Sequence, residues 1–298
     1  MSFRASQLGR STQRLYPEPM GKGLSDEQIA CWADQGYVAP VDVIGVGQAA
    51  ACRAELEQAE AIIAANGWSR ALAYKAHVVL PFLVAIARNR QLLDAIEDVI
   101  GPDIVLYDSD FFIKEPATPG FVSWHQDLTH CGFDGTKMVN CWVALAPSTV
   151  ESGCLRVVPG SHKLGPLEHA DIPDRDNMLG RGFTVQHPVA PDAGHDLVLQ
   201  PGQASFHHGY TFHGSRPNNS ADRRIGLVLL FVSASMRRHD GKASGLLLRG
   251  QDREGNFAPD PAAETLLDPA MIPVQAHLTK ELLAVHNEGA GSEAHVKR

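Results

Sequence analysis

The chain has 298 residues, of which 44% are hydrophobic and 20% are charged. A chain of this length and composition can form a hydrophobic core, which excludes a disordered chain or a small disulfide-stabilised domain. The net charge of -8 repels phosphate backbones, so we expect no nucleic-acid partner. Five cysteines that form no CxxC pair indicate buried free thiols rather than a zinc site or a secreted disulfide framework.

Membrane and export signals are not expected either. The longest apolar run, residues 225–232, is far shorter than the roughly 20 residues that cross a bilayer. Residues 1–10 are polar and basic without an apolar stretch behind them, which is not the pattern of a secretory signal. We therefore expect a cytoplasmic protein with no membrane partner.

The first third of the chain, about residues 24–100, is predicted to be helical. Ser25 and Gln28 form a capping-box pattern at the start of a first helix. A second helix is predicted over about residues 48–65, and a third over about residues 80–100, each followed by a glycine that ends it.

After residue 101 the pattern changes to short strands separated by Gly, Pro, Asn and Asp. These β-branched or aromatic runs are at residues 104–106, 111–113, 138–146, 154–158, 197–199 and 225–232. Such spacing predicts a sandwich or barrel rather than βαβ units. We expect one domain over residues 1–298, with a β core at about 101–235 and a C-terminal extension at 236–298. Within it, residues 168–194 are predicted to form a long loop that carries substrate contacts, and residues 287–298 a frayed tail.

Three side chains could bind one metal ion. His125 and Asp127 are two residues apart, so on a strand they point to the same side. His213 could complete a set of two histidines and one carboxylate, which holds Fe(II) with open coordination positions. Zinc with the same ligands is the chemical alternative. A second HxD pattern, His169 and Asp171, lies in the irregular segment and is predicted to be solvated surface.

Residues after the third candidate ligand could bind a carboxylate. Arg224 follows His213 at the start of the next strand, where its guanidinium could bind the far end of a dicarboxylate through two hydrogen bonds. Ser215 could add a hydroxyl donor. His207 has the same strand parity as His213 and could share its face.

Four motifs follow one another in a fixed order: WHQD at 124–127, WVAL at 142–145, SGCLRVVPGSH at 152–162 and HGS at 213–215, with Arg224 after them. In this order they resemble the phytanoyl-CoA dioxygenase family, over about residues 25–232. The resemblance implies a mainly β fold with flanking helices and a double-stranded β-helix core of the jelly-roll or cupin-like type. It also implies an oxygenase that uses Fe(II), 2-oxoglutarate and O2.

The resemblance further implies roles for single residues. His125, Asp127 and His213 would bind iron. A subset of the family halogenates and has a small residue in place of the metal carboxylate, so Asp127 favours hydroxylation.

Four other residues are implied to contact the co-substrate. Arg224 and Ser215 would hold the distal carboxylate of 2-oxoglutarate, and Trp142 would lie beside it. Lys75 would contribute a further contact. The expected activity is hydroxylation of an unactivated C–H bond.

The substrate is the least constrained part of this interpretation. Asp108 and Asp110 alternate on one strand, and they either line the cavity or face solvent. If they line it, a free polar molecule with a cationic amine is expected, such as a metabolite or natural-product intermediate. An acyl-CoA or carrier-bound acyl group is the alternative within the family, whereas a non-catalytic metal-binding protein or a zinc hydrolase is the alternative outside it. The sequence leaves the oligomeric state open.

Overall fold

A computed structural model describes residues 22–68, 71–241 and 243–286. The predictions for residues 1–10 and 287–298 therefore lie outside the described residues. Within the described ranges, no helix has both the length and the apolar character needed to cross a bilayer.

The helices begin and end near the sequence signals predicted for them. Those of the described residues are α1 Asp26–Gln35, α2 Val46–Asn66, α3 Pro81–Ala87, α4 Arg90–Ile100 and α5 Ile272–His286. The predicted capping box is present, because the Ser25 hydroxyl accepts from the backbone N–H of Gln28 and the Gln28 side chain accepts from that of Ser25. Both bonds satisfy donors that the first turn of a helix leaves free.

The single helix predicted over residues 80–100 is two helices in the structure. Asn89 separates α3 from α4, because its side-chain oxygen accepts from the backbone N–H of Leu92 and caps α4. The Asn89 amide also donates to the backbone oxygen of Val43. A cap of this kind begins a new helix where the apolar pattern alone suggests continuity.

The strands form two main sheets, in which all pairs are antiparallel except β12 with β13. They are β1 Tyr37–Asp42, β2 Ile104–Lys114, β3 Val122–His125, β4 Met138–Ala144, β5 Leu155–Val157, β6 His169–Asp171, β7 Phe183–Val185, β8 His195–Leu197, β9 Gln203–His208, β10 His213–Ser215, β11 Arg224–Ser233, β12 Ser244–Arg249 and β13 Ala258–Pro259. The large sheet has the order β1-β9-β4-β11-β2-β12-β13, the small sheet has the order β3-β10-β5-β8, and β6 pairs with β7. The predicted jelly-roll fold class is confirmed by this arrangement.

The large sheet includes strands from all three predicted segments. From the helical part, β1 pairs with β9, and from the C-terminal extension β12 pairs with β2. Helices α2, α3 and α4 contribute Leu56, Leu83 and Ile96 to the main hydrophobic core, each fully buried, together with side chains of the large sheet. Each such side chain stabilises the fold by about 1.5–3 kcal/mol through burial.

Both sheets also contribute to one cavity. His125 and His213 reach it from the small sheet, and Asp108, Trp142 and Arg224 reach it from the large sheet. The fold therefore brings residues that are far apart in the chain to the same cavity.

Candidate metal centre

The structure brings His125, Asp127 and His213 together. His213 lies opposite His125 in the antiparallel pairing of β10 with β3, and their ring centroids are 4.0 Å apart. The two Asp127 carboxylate oxygens lie 3.3 Å from Nε2 of His125 and 3.2 Å from Nε2 of His213. One ligand atom from each residue lies within 4.8 Å of the other two, which is a spacing that a single metal ion can bridge.

Asp127 reaches this cluster by a different route from the one expected. Strand β3 ends at His125, and Asp127 has a helical backbone conformation at the start of a 3-10 turn. Gln126 fixes the bend between them, because its side-chain amide donates to the backbone oxygens of Gly165 and Tyr210 at 2.8 and 2.9 Å. The expectation that strand alternation aligns the pair is therefore wrong, although both side chains meet.

Hydrogen bonds set the tautomer of both imidazoles. Nδ1 of His125 lies 2.9 Å from the backbone oxygen of Ser123, and Nδ1 of His213 lies 3.0 Å from that of Thr211. A carbonyl oxygen only accepts, so each Nδ1 donates and each neutral ring presents the lone pair of Nε2 to the Asp127 carboxylate.

The protonation states also suit a metal ligand set. Burial lowers the pKa of His213 well below its ordinary value and favours the neutral ring. Burial raises the pKa of Asp127, and the positive charge of protonated neighbouring imidazoles lowers it, so the carboxylate stays ionised when a positive charge lies beside it. Two neutral imidazoles and a carboxylate facing one point repel each other unless a cation lies between them, so the residues present fit a divalent metal such as Fe(II).

Two further residues contact the Asp127 carboxylate and were not assigned a role from the sequence. The Asn140 amide donates to Oδ2 of Asp127, and Nε2 of His207 lies 3.6 Å from the same oxygen. Asn140 is two residues before Trp142 on β4, and both line the cavity. That alternation is the sequence signal that could have identified Asn140.

A cationic region forms another part of the cavity lining. Arg224 is 1% exposed, and its Nε and Nη2 atoms have no hydrogen-bond partner among the described residues. The guanidinium carbon lies 5.2 Å from the centre of the Trp142 ring, within the range of a cation–π contact. Burial lowers the pKa of Arg224 to about 10, so the group remains charged at neutral pH. An unpaired buried guanidinium of this kind suits a carboxylate ligand.

Ser215 lies in the cavity lining with Arg224, and its hydroxyl oxygen accepts a hydrogen bond from a buried lysine. Lys114 Nζ donates to the Ser215 hydroxyl oxygen at 2.7 Å and also to the backbone oxygen of Arg216. Lys114 lies directly opposite Arg224 in the pairing of β2 with β11. The Arg224 guanidinium and the Lys114 amine therefore lie on the same side of the large sheet, and the amine contacts the Ser215 hydroxyl.

Lys75 lies elsewhere. Its Nζ donates to the backbone oxygen of Tyr107 at 2.6 Å and that of Ser244 at 3.0 Å, and pairs with Asp260 at 2.8 Å. The side chain does not belong to the cavity lining. The expected contact with the co-substrate is therefore corrected, because a neighbouring carboxylate and two carbonyls already hold the ammonium group.

Asp108 and Asp110 both line the cavity. Asp108 accepts a 2.7 Å hydrogen bond from the backbone N–H of Lys75, and Asp110 accepts a 2.6 Å bond from that of Phe111. Burial raises the pKa of Asp108 to about 6, because an ionised carboxylate is costly away from water. Their strand alternation therefore places two carboxylates where a substrate can reach them.

The segment predicted as a long loop contributes a wall of the cavity. It contains the β6–β7 hairpin, whose connection contributes Arg181 to the lining. Arg181 pairs with Asp171 at 2.8 Å and donates to the backbone oxygen of His286 at 3.1 Å, so it links the hairpin to the end of α5. Helix α5, which the sequence did not indicate, itself lines the cavity through Leu283 and His286.

The second HxD pattern does not join the metal cluster. His169 stacks on Phe183 with ring centroids 4.1 Å apart, and its Nε2 accepts from the backbone N–H of Gln126. The expectation of solvated surface is wrong for His169, which supports the turn between the two candidate ligands.

Known proteins are similar to this chain in sequence and in fold. The family described as phytanoyl-CoA dioxygenase (PhyH) matches residues 32–226. A peroxisomal phytanoyl-CoA dioxygenase of Homo sapiens is 29% identical over 159 residues, which are 52% of this chain and 47% of the human protein. An ectoine dioxygenase of Bordetella parapertussis is 24% identical over 268 residues, which are 77% of this chain and 84% of that protein. The chain thus spans about half the length of the human relative.

A solved structure extends the likeness to most of the fold. The apo form of ThoJ, described as a non-heme monooxygenase, has a TM-score of 0.79 at 26% identity, over 88% of this chain and 98% of that chain. The predicted resemblance and the predicted cofactor pair are confirmed by these matches and by the His-Asp-His cluster. The chain belongs to the phytanoyl-CoA dioxygenase family of Fe(II)- and 2-oxoglutarate-dependent oxygenases.

Proposed function

We propose that this chain hydroxylates a C–H bond of a small polar molecule, using Fe(II), 2-oxoglutarate and O2. The observation that carries the proposal is one cavity that combines a His-Asp-His cluster with the unpaired guanidinium of Arg224. A zinc hydrolase and a non-catalytic metal-binding protein need no buried anchor for a second carboxylate. The alternatives of other classes therefore leave Arg224 unexplained.

The residues of the chain have separate tasks in this proposal. His125, Asp127 and His213 would hold the iron, and Arg224 with Ser215 would bind the distal carboxylate of 2-oxoglutarate. When bound, Fe(II) and 2-oxoglutarate supply the activation of O2, so that RH, 2-oxoglutarate and O2 become ROH, succinate and CO2. The protein contributes ligand geometry, orientation of the co-substrate and exclusion of water from the cavity.

Trp142 supports the same assignment. Its ring lies against the Arg224 guanidinium and is 2% exposed. A flat apolar wall on one side of the guanidinium leaves its N–H groups free to bind a ligand in their own plane. We infer that Trp142 lies beside the bound co-substrate.

Asp127 favours hydroxylation over halogenation. Its carboxylate lies against both histidines and would occupy the coordination position that a halide ligand needs. The reaction therefore ends with oxygen, rather than chlorine, on the substrate carbon.

The substrate proposed is a free polar molecule that carries a cationic nitrogen. Asp108 and Asp110 line the cavity, and a cation next to Asp108 would offset the cost of burying its ionised form. The ectoine dioxygenase among the relatives supports a small polar substrate. The human phytanoyl-CoA dioxygenase supports an acyl-CoA thioester instead, so the test compares both classes.

The first experiment is an anaerobic titration of the protein with Fe(II) and 2-oxoglutarate, followed by visible absorption. We expect a weak charge-transfer band that needs both additions. Absence of the band in wild-type protein that binds Fe(II) would contradict the proposed function. Activity that persists without O2 and without 2-oxoglutarate would indicate a hydrolase.

The second experiment measures succinate release with O2 in the presence of candidate substrates. We expect amines of low molecular weight to stimulate release more than acyl-CoA thioesters do. Stimulation by thioesters alone would reject the amine substrate while retaining the oxygenase.

The matched pair of variants is Asp127→Gly and Asp171→Gly, one in each HxD pattern. Asp127→Gly should lose hydroxylation, and a chloride-dependent product in this variant would support the ligand role of Asp127. Asp171→Gly should retain Fe(II) binding, because Asp171 lies outside the metal cluster.

A further inference from the structure

His207 is a buried histidine on β9, in the lining of the cavity. It is 2% exposed, and neither Nδ1 nor Nε2 has a hydrogen-bond partner among the described residues. A buried polar group without a partner is costly, so an apolar side chain would be more favourable here if packing were its only task. The unpaired ring therefore indicates a role in the site rather than in the core.

The ring of His207 lies next to the carboxylate of Asp127. Its Nε2 is 3.6 Å from Oδ2 of Asp127, and its ring centroid is 4.3 Å from that of His213. An ionised carboxylate oxygen only accepts, so the ring presents an N–H to it when Nε2 carries the proton. The distance exceeds that of a hydrogen bond by less than about 1 Å, and a small rotation of the carboxylate would close it.

Asn140 approaches the same oxygen from the neighbouring strand. It lies directly opposite His207 in the pairing of β4 with β9, and its side-chain amide donates to Oδ2 of Asp127. Two adjacent strands of the large sheet therefore direct polar side chains to one carboxylate oxygen. These two contacts leave out Oδ1 of Asp127, which lies 3.3 Å from Nε2 of His125.

The two contacts make the oxygens of Asp127 unequal. Lone pairs of Oδ2 that accept from Asn140 and His207 are less available to a cation, whereas those of Oδ1 remain available. A carboxylate that binds through one oxygen, together with two imidazoles, leaves three positions of an octahedral metal ion open. A carboxylate that binds through both oxygens would leave only two.

We propose that His207 is a positioning residue of the metal centre, which with Asn140 holds Oδ2 of Asp127 and leaves Oδ1 as the single oxygen that binds the metal. Among the described residues, the set whose ligand atoms lie within 4.8 Å of one another does not include His207, so it acts on the carboxylate and not on the ion. The inference rests on the proposed function, because it assumes that the open positions receive 2-oxoglutarate and O2.

The first test is titration calorimetry of the anaerobic protein with Fe(II). His207→Phe removes the donor and keeps an aromatic ring, so Fe(II) should bind about tenfold more weakly than in wild type. His207→Gln keeps an N–H that can reach Oδ2 of Asp127, so it should recover most of the affinity. Equal losses of affinity in the two variants would show that the ring only fills space, and would overturn the inference.

The matched control is Ser205→Ala. Ser205 lies two residues before His207 on β9, so both side chains point to the same side of the strand. Its hydroxyl is also buried and without a hydrogen-bond partner among the described residues. Because this variant removes an unpaired polar group but no donor to Asp127, it should bind Fe(II) as wild type does. A tenfold loss in Ser205→Ala as well would count against a specific role of His207.

The second test uses nitric oxide, which binds Fe(II) in place of O2 and gives an electron paramagnetic resonance signal. Wild-type protein loaded with Fe(II) and 2-oxoglutarate should bind it at the remaining open position. In His207→Phe, Asp127 is less restrained from binding through both oxygens, so the affinity for nitric oxide should fall about tenfold at equal Fe(II) and 2-oxoglutarate occupancy. An unchanged affinity at equal occupancy would overturn the inference.

Two further outcomes are distinguishable from these. If His207→Phe does not fold, His207→Met gives the same comparison, because its flexible side chain adapts to the space of the ring. Failure of the wild-type protein to bind Fe(II) or 2-oxoglutarate would instead reject the proposed function.

Discussion

Two buried lysines of this protein have opposite surroundings. Lys75 and Lys114 are 1% and 2% exposed. Lys75 pairs with Asp260 at 2.8 Å, so the protein supplies its counter-ion. Lys114 has no carboxylate in the described ion pairs and lies opposite Arg224. The first arrangement pairs the ammonium group within the fold, whereas the second leaves Lys114 neutral above about pH 6 and the Arg224 guanidinium without a counter-ion among the described residues.

The largest effect is expected where the protein supplies both charges. Lys75→Met leaves the fully buried Asp260 without its lysine, so the free energy of unfolding should fall by about 3–5 kcal/mol. Lys114→Met removes an unpaired group and should change it by less than about 1 kcal/mol. Denaturant unfolding of both variants checks this contrast. Equal losses of stability would show that the two lysines do not differ in role.

Arg224→Met should weaken the binding of 2-oxoglutarate without changing the stability of the fold. Removing the guanidinium should weaken 2-oxoglutarate binding about 100-fold, because a buried charge pair between protein and ligand is lost. The unfolding free energy should stay within about 1 kcal/mol of wild type, since no protein carboxylate loses a partner. Calorimetry of the Fe(II)-loaded variant gives the affinity. A large loss of stability with unchanged affinity would assign Arg224 to the fold instead.

Sequence and structure agree best where a motif fixes both residue type and spacing. The His125, Asp127 and His213 set and the cationic Arg224 follow from such motifs. Asp260 lies 185 residues from Lys75, and no local pattern connects them, so the role of Lys75 could not be derived from the sequence. Likewise helix α5 reaches the cavity only through tertiary packing.

The sequence alone also does not show what a side chain faces, because that depends on distant parts of the chain. Strand alternation predicted correctly that Asp108 and Asp110 share a face, but only the pairing of the sheets shows that this face lines the cavity. The bend at Gln126 depends on its bonds to Gly165 and Tyr210. Both acceptors belong to other parts of the chain, which is why an extended strand through Asp127 was the simpler expectation.

The Asp108 region extends the comparison to a buried anion. Asp108→Asn keeps an acceptor for the Lys75 N–H but cannot ionise. Because the folded pKa is raised to about 6 above its ordinary value, wild type loses stability as the pH rises to about 6. The variant should therefore be more stable than wild type by about 3 kcal/mol at neutral pH, and similar to it below about pH 4. Thermal unfolding at both pH values measures the difference, and a pH-independent difference would contradict it.

The smallest expected effect comes from the wall behind Arg224. A Cβ added at Gly226 would lie 2.0 Å from Cζ2 of Trp142, so Gly226→Ala must displace the ring that lies against the guanidinium. We expect about tenfold weaker 2-oxoglutarate binding from this overpacking. Gly47→Ala is the control, because no atom lies within 4 Å of its added Cβ, and it should raise helix stability by up to about 1 kcal/mol. An unchanged affinity for 2-oxoglutarate in Gly226→Ala would show that the position of the Trp142 ring does not affect the co-substrate site.

The position of His213 and Ser215 on β10 has a consequence for the length of the ligand. The two residues are two apart on one strand that pairs without a bulge to β5, so their separation is the strand repeat of about 7 Å. Because β10 is hydrogen-bonded to a strand on each side, loop motion cannot change the distance between these two residues. A diacid one carbon shorter or longer should therefore reach either the metal ligands or the hydroxyl well, but not both.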